Sequence, residues 1–148
     1  MPNNSPVSDI NRNLHRLVFT MDKMAEDLLH KRFGLTFSQF RMLMGVEKGK
    51  LSCQAHIAQF FGLTPAAVSR QIDILAEKKL ITARTNSKNR REHVIRLTVK
   101  GKHWTTEAIE LLENQFNQFF NILNKNEQKS FAENIQKLTN KFCNTPLQ

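Results

Sequence analysis

The segment from Leu51 to Thr98 constrains the fold more than any other part of the chain, because two short helical patterns, a turn and two β-branched runs follow one another there. Gly62 stands where a helix end needs a residue that tolerates the left-handed conformation, so the first helix is predicted to end at Phe61. Ser52 is a candidate cap for the start of this helix. Its inward-facing apolar residues are expected to be Ile57, Ala58, Phe60 and Phe61.

A second helix is predicted to begin directly after the turn. The Thr64 hydroxyl can accept from the free N–H groups of the first turn, and Pro65 suits the first helical position because its missing N–H costs nothing there. The inward stripe of this helix is Val68, Ile72 and Leu75, and its outward face is Ala66, Ser69, Arg70 and Asp73. The two helices have the spacing of a helix-turn-helix, and the alternative is an ordinary helical hairpin with a solvated charged end.

A basic β-hairpin is predicted after the second helix. The runs 80–84 and 93–98 are β-branched and alternating, and the loop between them, TNSKNRRE, is polar and rich in turn residues. Residues 84–103 contain seven Lys or Arg and one acid, Glu92, so this stretch carries +6 of the net charge of +9 of the whole chain. A hairpin with such a basic tip, next to a helix-turn-helix, is placed to contact phosphates and the minor groove of DNA.

The run from Leu63 to Gly101 resembles the MarR family of bacterial winged-helix regulators, through LTPAAVSRQIDILAEKKLI and NRREHVIRLTVKG. The wing of that family carries D-R-R followed by L-x-L-T-x-x-G. The matching residues here are Asn89, Arg90, Arg91, Ile95, Leu97, Thr98 and Gly101. Two positions depart from the family pattern: Asn89 replaces the usual Asp of the wing, and Lys79 replaces the usual Gly at the end of the recognition helix.

The helix-turn-helix reading and the resemblance together assign two sets of DNA-binding residues. In the recognition helix, Thr64 and Ser69 are expected to make phosphate and positioning contacts. The major-groove edge is expected to consist of Pro65, Ala66, Ala67, Arg70 and Gln71. The wing set is Arg84, Lys88, Asn89, Arg90 and Arg91.

Long amphipathic helices are predicted on both sides of this segment. One covers 8–34 with Ser8 or Asp9 as cap, the next runs from Leu35 to Glu47 with Ser38 as candidate cap, and Thr98 can cap a long helix after the wing, followed by a last helix ending near residue 143. We expect a single domain over 1–148, with a winged helix-turn-helix at 36–98 and dimerisation helices at 8–34 and 99–143. The alternative is an intramolecular bundle in a monomer.

Composition and charge limit the classes of binding partner and the cellular compartment that can be expected for this chain. A net charge of +9 and a pI near 9.9 indicate a polyanionic partner, either nucleic acid or an anionic membrane surface. No apolar run approaches the roughly 18 residues of a membrane span, and the polar segment MPNNSP lacks the apolar stretch of a signal peptide, so a cytoplasmic protein without a membrane partner is expected. The Met and Phe stripes of the helices could form a ligand box, but they are more typical of a core.

Enzyme and metal sites have no support in the sequence. The five histidines show neither H-x-x-x-H nor H-E-x-x-H spacing, and a Gly-rich phosphate loop and G-x-S-x-G are both missing, so we expect no catalysis, metal or cofactor. The two cysteines, Cys53 and Cys143, form no C-x-x-C. Cys53 lies at a predicted helix start and could sense peroxide, although a buried or idle thiol is the stronger interpretation.

The sequence thus predicts a mainly α fold with a small β-hairpin wing, a winged helix-turn-helix flanked by N- and C-terminal dimerisation helices. The resemblance implies a sequence-specific transcriptional repressor that binds a pseudo-palindromic double-stranded DNA operator as a homodimer and answers to a small aromatic or anionic effector. Two alternatives stay open: a nonspecific architectural nucleic-acid binder, and a winged-helix module for protein contacts. The operator and the effector pocket are not predicted.

Overall fold

The structure is a computed structural model that describes residues 5–85 and 93–142. Within these ranges it contains six helices and one antiparallel hairpin, which confirms the predicted fold class. The elements are α1 (Pro6–Phe33), α2 (Phe37–Glu47), α3 (Gln54–Phe61), α4 (Pro65–Glu77), β1 (Ile81–Thr85), β2 (His93–Leu97), α5 (Val99–Phe120) and α6 (Lys125–Phe142).

Helix α1 begins earlier than predicted. Ser5 is its N-cap and accepts from the Ser8 N–H at 3.3 Å, because Pro6 occupies the first helical position and moves the start of the helix ahead of Ser8. The predicted caps Ser8 and Asp9 are therefore wrong, and both lie in the first turn. The helix ends at Gly34, whose φ of 62° is the left-handed conformation that closes a helix.

The start of helix α2 also corrects the prediction. Thr36, not Ser38, is the N-cap, and it forms a capping box with Gln39 in which each side chain accepts from the other residue's backbone N–H at 3.1 Å. Ser38 lies inside the helix. The Glu26 carboxylate on α1 accepts from the Phe37 N–H at the start of α2, so the two helices are joined where the α2 dipole favours a negative group.

Helices α3 and α4 form the predicted helix-turn-helix. Helix α3 ends at Phe61, with Gly62 in the left-handed conformation at φ 62°, as predicted. Ser52 is not its cap: Cys53 takes that position without a side-chain bond, because the Ser52 hydroxyl pairs with Nδ1 of His56 at 3.2 Å. Phe60 does not face inward either, since 57% of it is exposed; an eight-residue helix has room for only one buried stripe, and Ile57 occupies it.

The core joins α1 to α4 and the base of the hairpin. It consists of apolar side chains from α1 to α4 and from the strands, among them the predicted inward residues Ile57, Val68, Ile72 and Leu75, and many of these side chains are almost completely buried. The principal members are Ala25, Leu29, Leu35, Phe40, Leu43, Leu51, Ile57, Val68, Ile72, Leu75, Leu80, Ile81 and Ile95. Burial of such side chains is the main source of stability in a fold of this size.

The hairpin is set in one register from Ile81 opposite Leu97 to Thr85 opposite His93. Ile81 and Ile95 are buried, and the alternation of a strand therefore points Arg84 and Arg96 outward. The Ile95 N–H donates to the Ser52 carbonyl at 2.9 Å, so the segment before α3 lies along β2.

The end of α4, the start of β1 and the start of α5 meet in a hydrogen-bonded junction. The Thr98 hydroxyl donates to the Lys79 carbonyl at 2.7 Å and accepts from the Gly101 N–H at 2.9 Å, which also makes Thr98 the predicted cap of α5. The Leu80 carbonyl accepts from the Thr98 N–H at 3.0 Å. Gly101 lies so close that a Cβ there would be 1.9 Å from the Leu80 carbonyl oxygen. These contacts fix the end of α4 on the start of α5.

The C-terminal part of the chain forms a compact unit that begins at Leu111, within α5, while the first unit ends at Glu110. In the second unit α6 begins at Lys125, where the Asn124 side chain accepts from the Glu127 N–H at 3.1 Å and the Glu127 carboxylate accepts from the Asn124 N–H at 2.8 Å. The assignment of 8–34 and 99–143 to dimerisation and of 36–98 to DNA binding stays a prediction.

The glycine of the junction gives the first test. Gly101→Ala is expected to lower the free energy of unfolding by about 1 to 3 kcal/mol, because the new Cβ meets a backbone oxygen that cannot move away easily. Urea unfolding at fixed protein concentration measures this. Lys102→Ala, at the exposed next position, should change stability by less than about 0.5 kcal/mol. An alanine variant at 101 as stable as the parent would contradict the close approach.

The end of the recognition helix gives a second test. Lys79 has φ 59°, in the left-handed region that costs a residue with a side chain about 1 kcal/mol, whereas Lys78 has an ordinary helical φ of −70°. Lys79→Gly is therefore expected to raise the unfolding free energy by about 0.5 to 1 kcal/mol, and Lys78→Gly to lower it by a similar amount. Thermal or urea unfolding of the pair distinguishes them, and the same sign for both variants would rule out the left-handed assignment.

Candidate nucleic-acid interface

The N-terminus of α4 is exposed and prepared for an anion. The Thr64 hydroxyl oxygen accepts from the Ala67 N–H at 3.2 Å, and its own hydrogen is still available to a phosphate oxygen. Thr64 and Pro65 are both exposed. Since the first N–H groups of a helix and its dipole favour negative charge, this end of α4 can hold a phosphate.

The outward face of α4 carries small residues and one free cation. Ala66, Arg70 and Asp73 are exposed at helical spacing, and the opposite stripe of Val68, Ile72 and Leu75 is buried, as predicted. Within residues 5–85 and 93–142 the Arg70 side chain forms no ion pair. An unpaired guanidinium on an exposed helix face can donate to a base edge or a phosphate.

The half-buried members of the predicted set have a different environment. Ala67 and Ser69 lie at the border of the exposed face. The Gln71 amide oxygen accepts from the side-chain nitrogen of buried Gln39 at 3.1 Å, so this residue is joined to α2. Gln71 therefore holds α4 against the capping box of α2, and only its amide N–H₂ is left to donate to DNA. The sequence carries no signal for this pairing.

The stem of the wing adds a residue that sequence reasoning did not select. Arg84 is exposed as expected, and Arg96, which faces Thr82 across the hairpin, is exposed on the same side of the strands. The β-strand alternation of HVIRL could have identified Arg96. The other predicted wing residues, Lys88, Asn89, Arg90 and Arg91, lie outside the residues that the structure describes.

Other kinds of site were also considered. In the described ranges, no group of three His, Cys, Asp or Glu is placed to hold a metal ion. Cys53 is 5% exposed, and whether it responds to oxidants stays a prediction. No helix in the described ranges is both long and apolar enough to cross a bilayer.

Comparison with known proteins agrees with this geometry. A family model described as the MarR family matches residues 33–92, which include α2, α3, α4 and the first strand. A search of curated protein sequences finds no significant match.

Three solved structures are close in fold. A mutant of MarR from E. coli shares 18% identity over 87% of this chain and 95% of its own, with a TM-score of 0.79. The YusO protein from Bacillus subtilis shares 26% identity over 95% of this chain and 99% of its own, with a TM-score of 0.74. A mutant of MarR from E. coli complexed with operator DNA shares 16% identity over 89% of this chain and 94% of its own, with a TM-score of 0.71.

The family match covers α2, the helix-turn-helix and the first strand of the wing, and the structural matches extend over most of the chain. The T-x-x-G end of the wing pattern is explained here by the bonds of Thr98 and the close approach of Gly101. Both lines agree with the family resemblance of the sequence and with the expectation that the protein is not an enzyme. The chain is therefore similar to the MarR family over residues 33–92, and it shares its fold with solved MarR-type structures over most of its length.

Proposed function

We propose that this protein is a sequence-specific regulator that reads DNA with α4 and acts as a homodimer. The observation that carries the proposal is the outward face of α4, where Ala66 and an unpaired Arg70 are exposed next to a helix N-terminus prepared for a phosphate. An α-helix fits the major groove, and small residues on its outer face allow it to approach the bases closely. An arginine side chain can donate two parallel hydrogen bonds to the O6 and N7 atoms of guanine. The E. coli relative complexed with operator DNA supports the same use of the fold.

The wing is proposed to contact the phosphate backbone or the minor groove beside that site. Arg84 and Arg96 line the outer face of its stem, and the sequence between the strands adds Lys88, Arg90 and Arg91. Contacts of this kind fix the position of a protein on the duplex without reading the sequence. In this proposal α4 recognises the base sequence, and the wing positions the protein on the duplex.

Dimerisation is proposed from apolar side chains that each unit leaves exposed. On α1 these are Val7, Ile10 and Val18, and in the second unit they are Ile122, Phe131 and Leu138. Solvent-exposed apolar residues at helical spacing are typical of a helix that packs against a partner. Two copies related by a twofold axis would present two α4 helices to two half-sites of a pseudo-palindrome. A monomer that covers these residues itself is the alternative.

We further propose that the regulator is a repressor released by a small effector. Such a molecule must bind the DNA-competent and the DNA-incompetent states with different affinity, and a preference of about 2.7 kcal/mol would weaken operator binding 100-fold. The junction at Thr98 and Gly101 offers a route for this coupling, because any movement of the start of α5 is passed directly to the end of α4.

Two alternative functions predict different DNA-binding behaviour. A nonspecific architectural binder would use the basic wing but would have equal affinity for all sequences at a given salt concentration. A protein-interaction module would show no salt-dependent DNA binding. The exposed Arg70 on a helix face bordered by small residues favours sequence reading over both alternatives.

A comparison of two arginine variants tests the proposal. Arg70→Ala is expected to lose about 1 to 3 kcal/mol of affinity for the cognate site and little for random DNA, because a base contact is removed. Arg91→Ala should weaken binding to both DNAs alike and reduce the salt slope by about one unit, because a phosphate contact is removed. Fluorescence anisotropy over a series of salt concentrations measures both quantities.

The control for net charge is Lys125→Ala, which removes an exposed cation at the start of α6, away from α4 and the wing in sequence. It should leave both affinities nearly unchanged. Equal losses for Arg70→Ala on cognate and random DNA would rule out the reading role. An absence of salt-dependent binding in the unmodified protein would favour the protein-interaction module.

A further inference from the structure

Gln39 is a polar side chain in the core of the molecule, and it is only 5% exposed. Both ends of its side-chain amide form hydrogen bonds. The Gln39 Oε1 atom accepts from the Thr36 N–H at 3.1 Å, and the Gln39 Nε2 atom donates to Oε1 of Gln71 on α4, also at 3.1 Å. A side chain buried to this degree cannot exchange such partners for water, so both bonds belong to the folded state.

The direction of the bond between Gln39 and Gln71 is determined by the backbone. The Thr36 N–H can only donate, so the Gln39 atom opposite it must be the amide oxygen. The other end of that amide is an N–H₂ group, which also can only donate, and Gln71 must present its own oxygen to it. Turning over one amide or both would bring two donors to face each other at one of these contacts, which is unfavourable in the core.

The N–H₂ group of Gln71 remains free for another partner. Among the residues that the structure describes, Gln71 forms no second hydrogen bond. Every buried side-chain nitrogen or oxygen of these residues has a partner, so the unpaired Nε2 of Gln71 must reach solvent. Gln71 follows Arg70 and lies one helical turn after Ala67, and both belong to the proposed major-groove edge. A free donor is therefore available at the border of the proposed reading face.

We propose that Gln39 fixes Gln71 as a hydrogen-bond donor, so that α4 reads a keto base, guanine or thymine, at this position. In the major groove guanine presents the acceptors O6 and N7 and thymine presents O4, whereas cytosine and adenine present the amino groups N4 and N6. A glutamine with a free amide pairs with adenine by donating to N7 and accepting from N6. Gln39 holds the oxygen that this pairing needs. The inference rests on the proposed DNA-reading function of α4, in which Gln39 is a positioning residue that does not touch DNA.

The alternative is that the pair only fastens α4 to α2. Two apolar side chains at these positions would join the helices without removing two amides from water, which is costly even when the amides bond to each other. The glutamine pair adds something that an apolar contact cannot supply, namely a defined orientation of an amide at the border of an exposed helix face.

The test is an in vitro selection, in which the full chain binds a library of random DNA duplexes and the bound fraction is sequenced. Gln71→Ala identifies the base pair that Gln71 reads, because the base preference there should fall at least about fivefold while the rest of the motif is kept. Gln71→Glu identifies the strand, because a carboxylate can only accept and selects an amino base such as cytosine. The parent should prefer the opposite orientation, with guanine or thymine on that strand.

Gln39→Glu tests the positioning role. Glutamate keeps the capping box, which uses Glu or Gln at this position, but both of its carboxylate oxygens accept. Gln71 must then donate its N–H₂ group to the carboxylate and present its oxygen to the DNA. The preference at this base pair should therefore change from guanine or thymine to cytosine or adenine, as in Gln71→Glu. A merely structural change would weaken binding to all sequences alike and would leave the preference as it is.

A second variant and a control accompany this one. Gln39→Ala releases the Gln71 oxygen, so adenine should gain at least about fivefold relative to guanine and thymine. Ser38→Glu adds the same charge as Gln39→Glu at the exposed neighbouring position of α2, and it should keep the preference of the parent.

An unchanged preference in both Gln39 variants, or a parent with the preference of Gln71→Glu, would overturn the inference. A selected motif that depends on Arg70 but not on Gln71 would also overturn it, and would leave the DNA-reading proposal intact. A parent that enriches no motif at all would refute both.

Discussion

The carbonyl of Leu80 joins the segment after α4 to the start of α5. It accepts from the Thr98 N–H at 3.0 Å, the Thr98 hydroxyl lies 3.2 Å from it, and Gly101 approaches it more closely than any other residue type could. On the same side, the Lys100 ammonium donates to the Lys78 carbonyl at 2.9 Å and lies 4.6 Å from the Trp104 ring centroid. The carbonyls of residues 78–80, directly after α4, thus accept from Thr98 and Lys100 at the start of α5, so the backbone that follows the helix is not left without partners.

This junction gives the proposed reading helix α4 a direct hydrogen-bonded attachment to the start of α5. Its reading face is held from the other side as well, since Gln71 is bonded to Gln39 and thereby to the start of α2, which in turn is bonded to Glu26 of α1.

Local chemistry made most of the fold predictable. Gly62, Thr64 and Pro65 mark the turn through their own backbone preferences, and the stripe of Val68, Ile72 and Leu75 follows from helical spacing. Caps were less predictable, because Ser8, Ser38 and Ser52 each had a competing neighbour in Ser5, Thr36 and Cys53. Contacts distant in sequence could not be predicted, as the bond from Gln39 to Gln71 and the exposed Phe60 with its Arg41 demonstrate. The left-handed φ of Lys79 was indicated only by the family pattern.

The central claim is that two copies of α4 read two half-sites of one operator. A hydroxyl-radical footprint of the purified protein on the DNA flanking its own gene tests this most directly. The account predicts protection of two short segments on one face of the duplex, with centres separated by one helical turn of about 10 base pairs or a multiple of it and with sequences related by approximate twofold symmetry. Uniform protection that spreads along the DNA with increasing protein, without preferred segments, would contradict it.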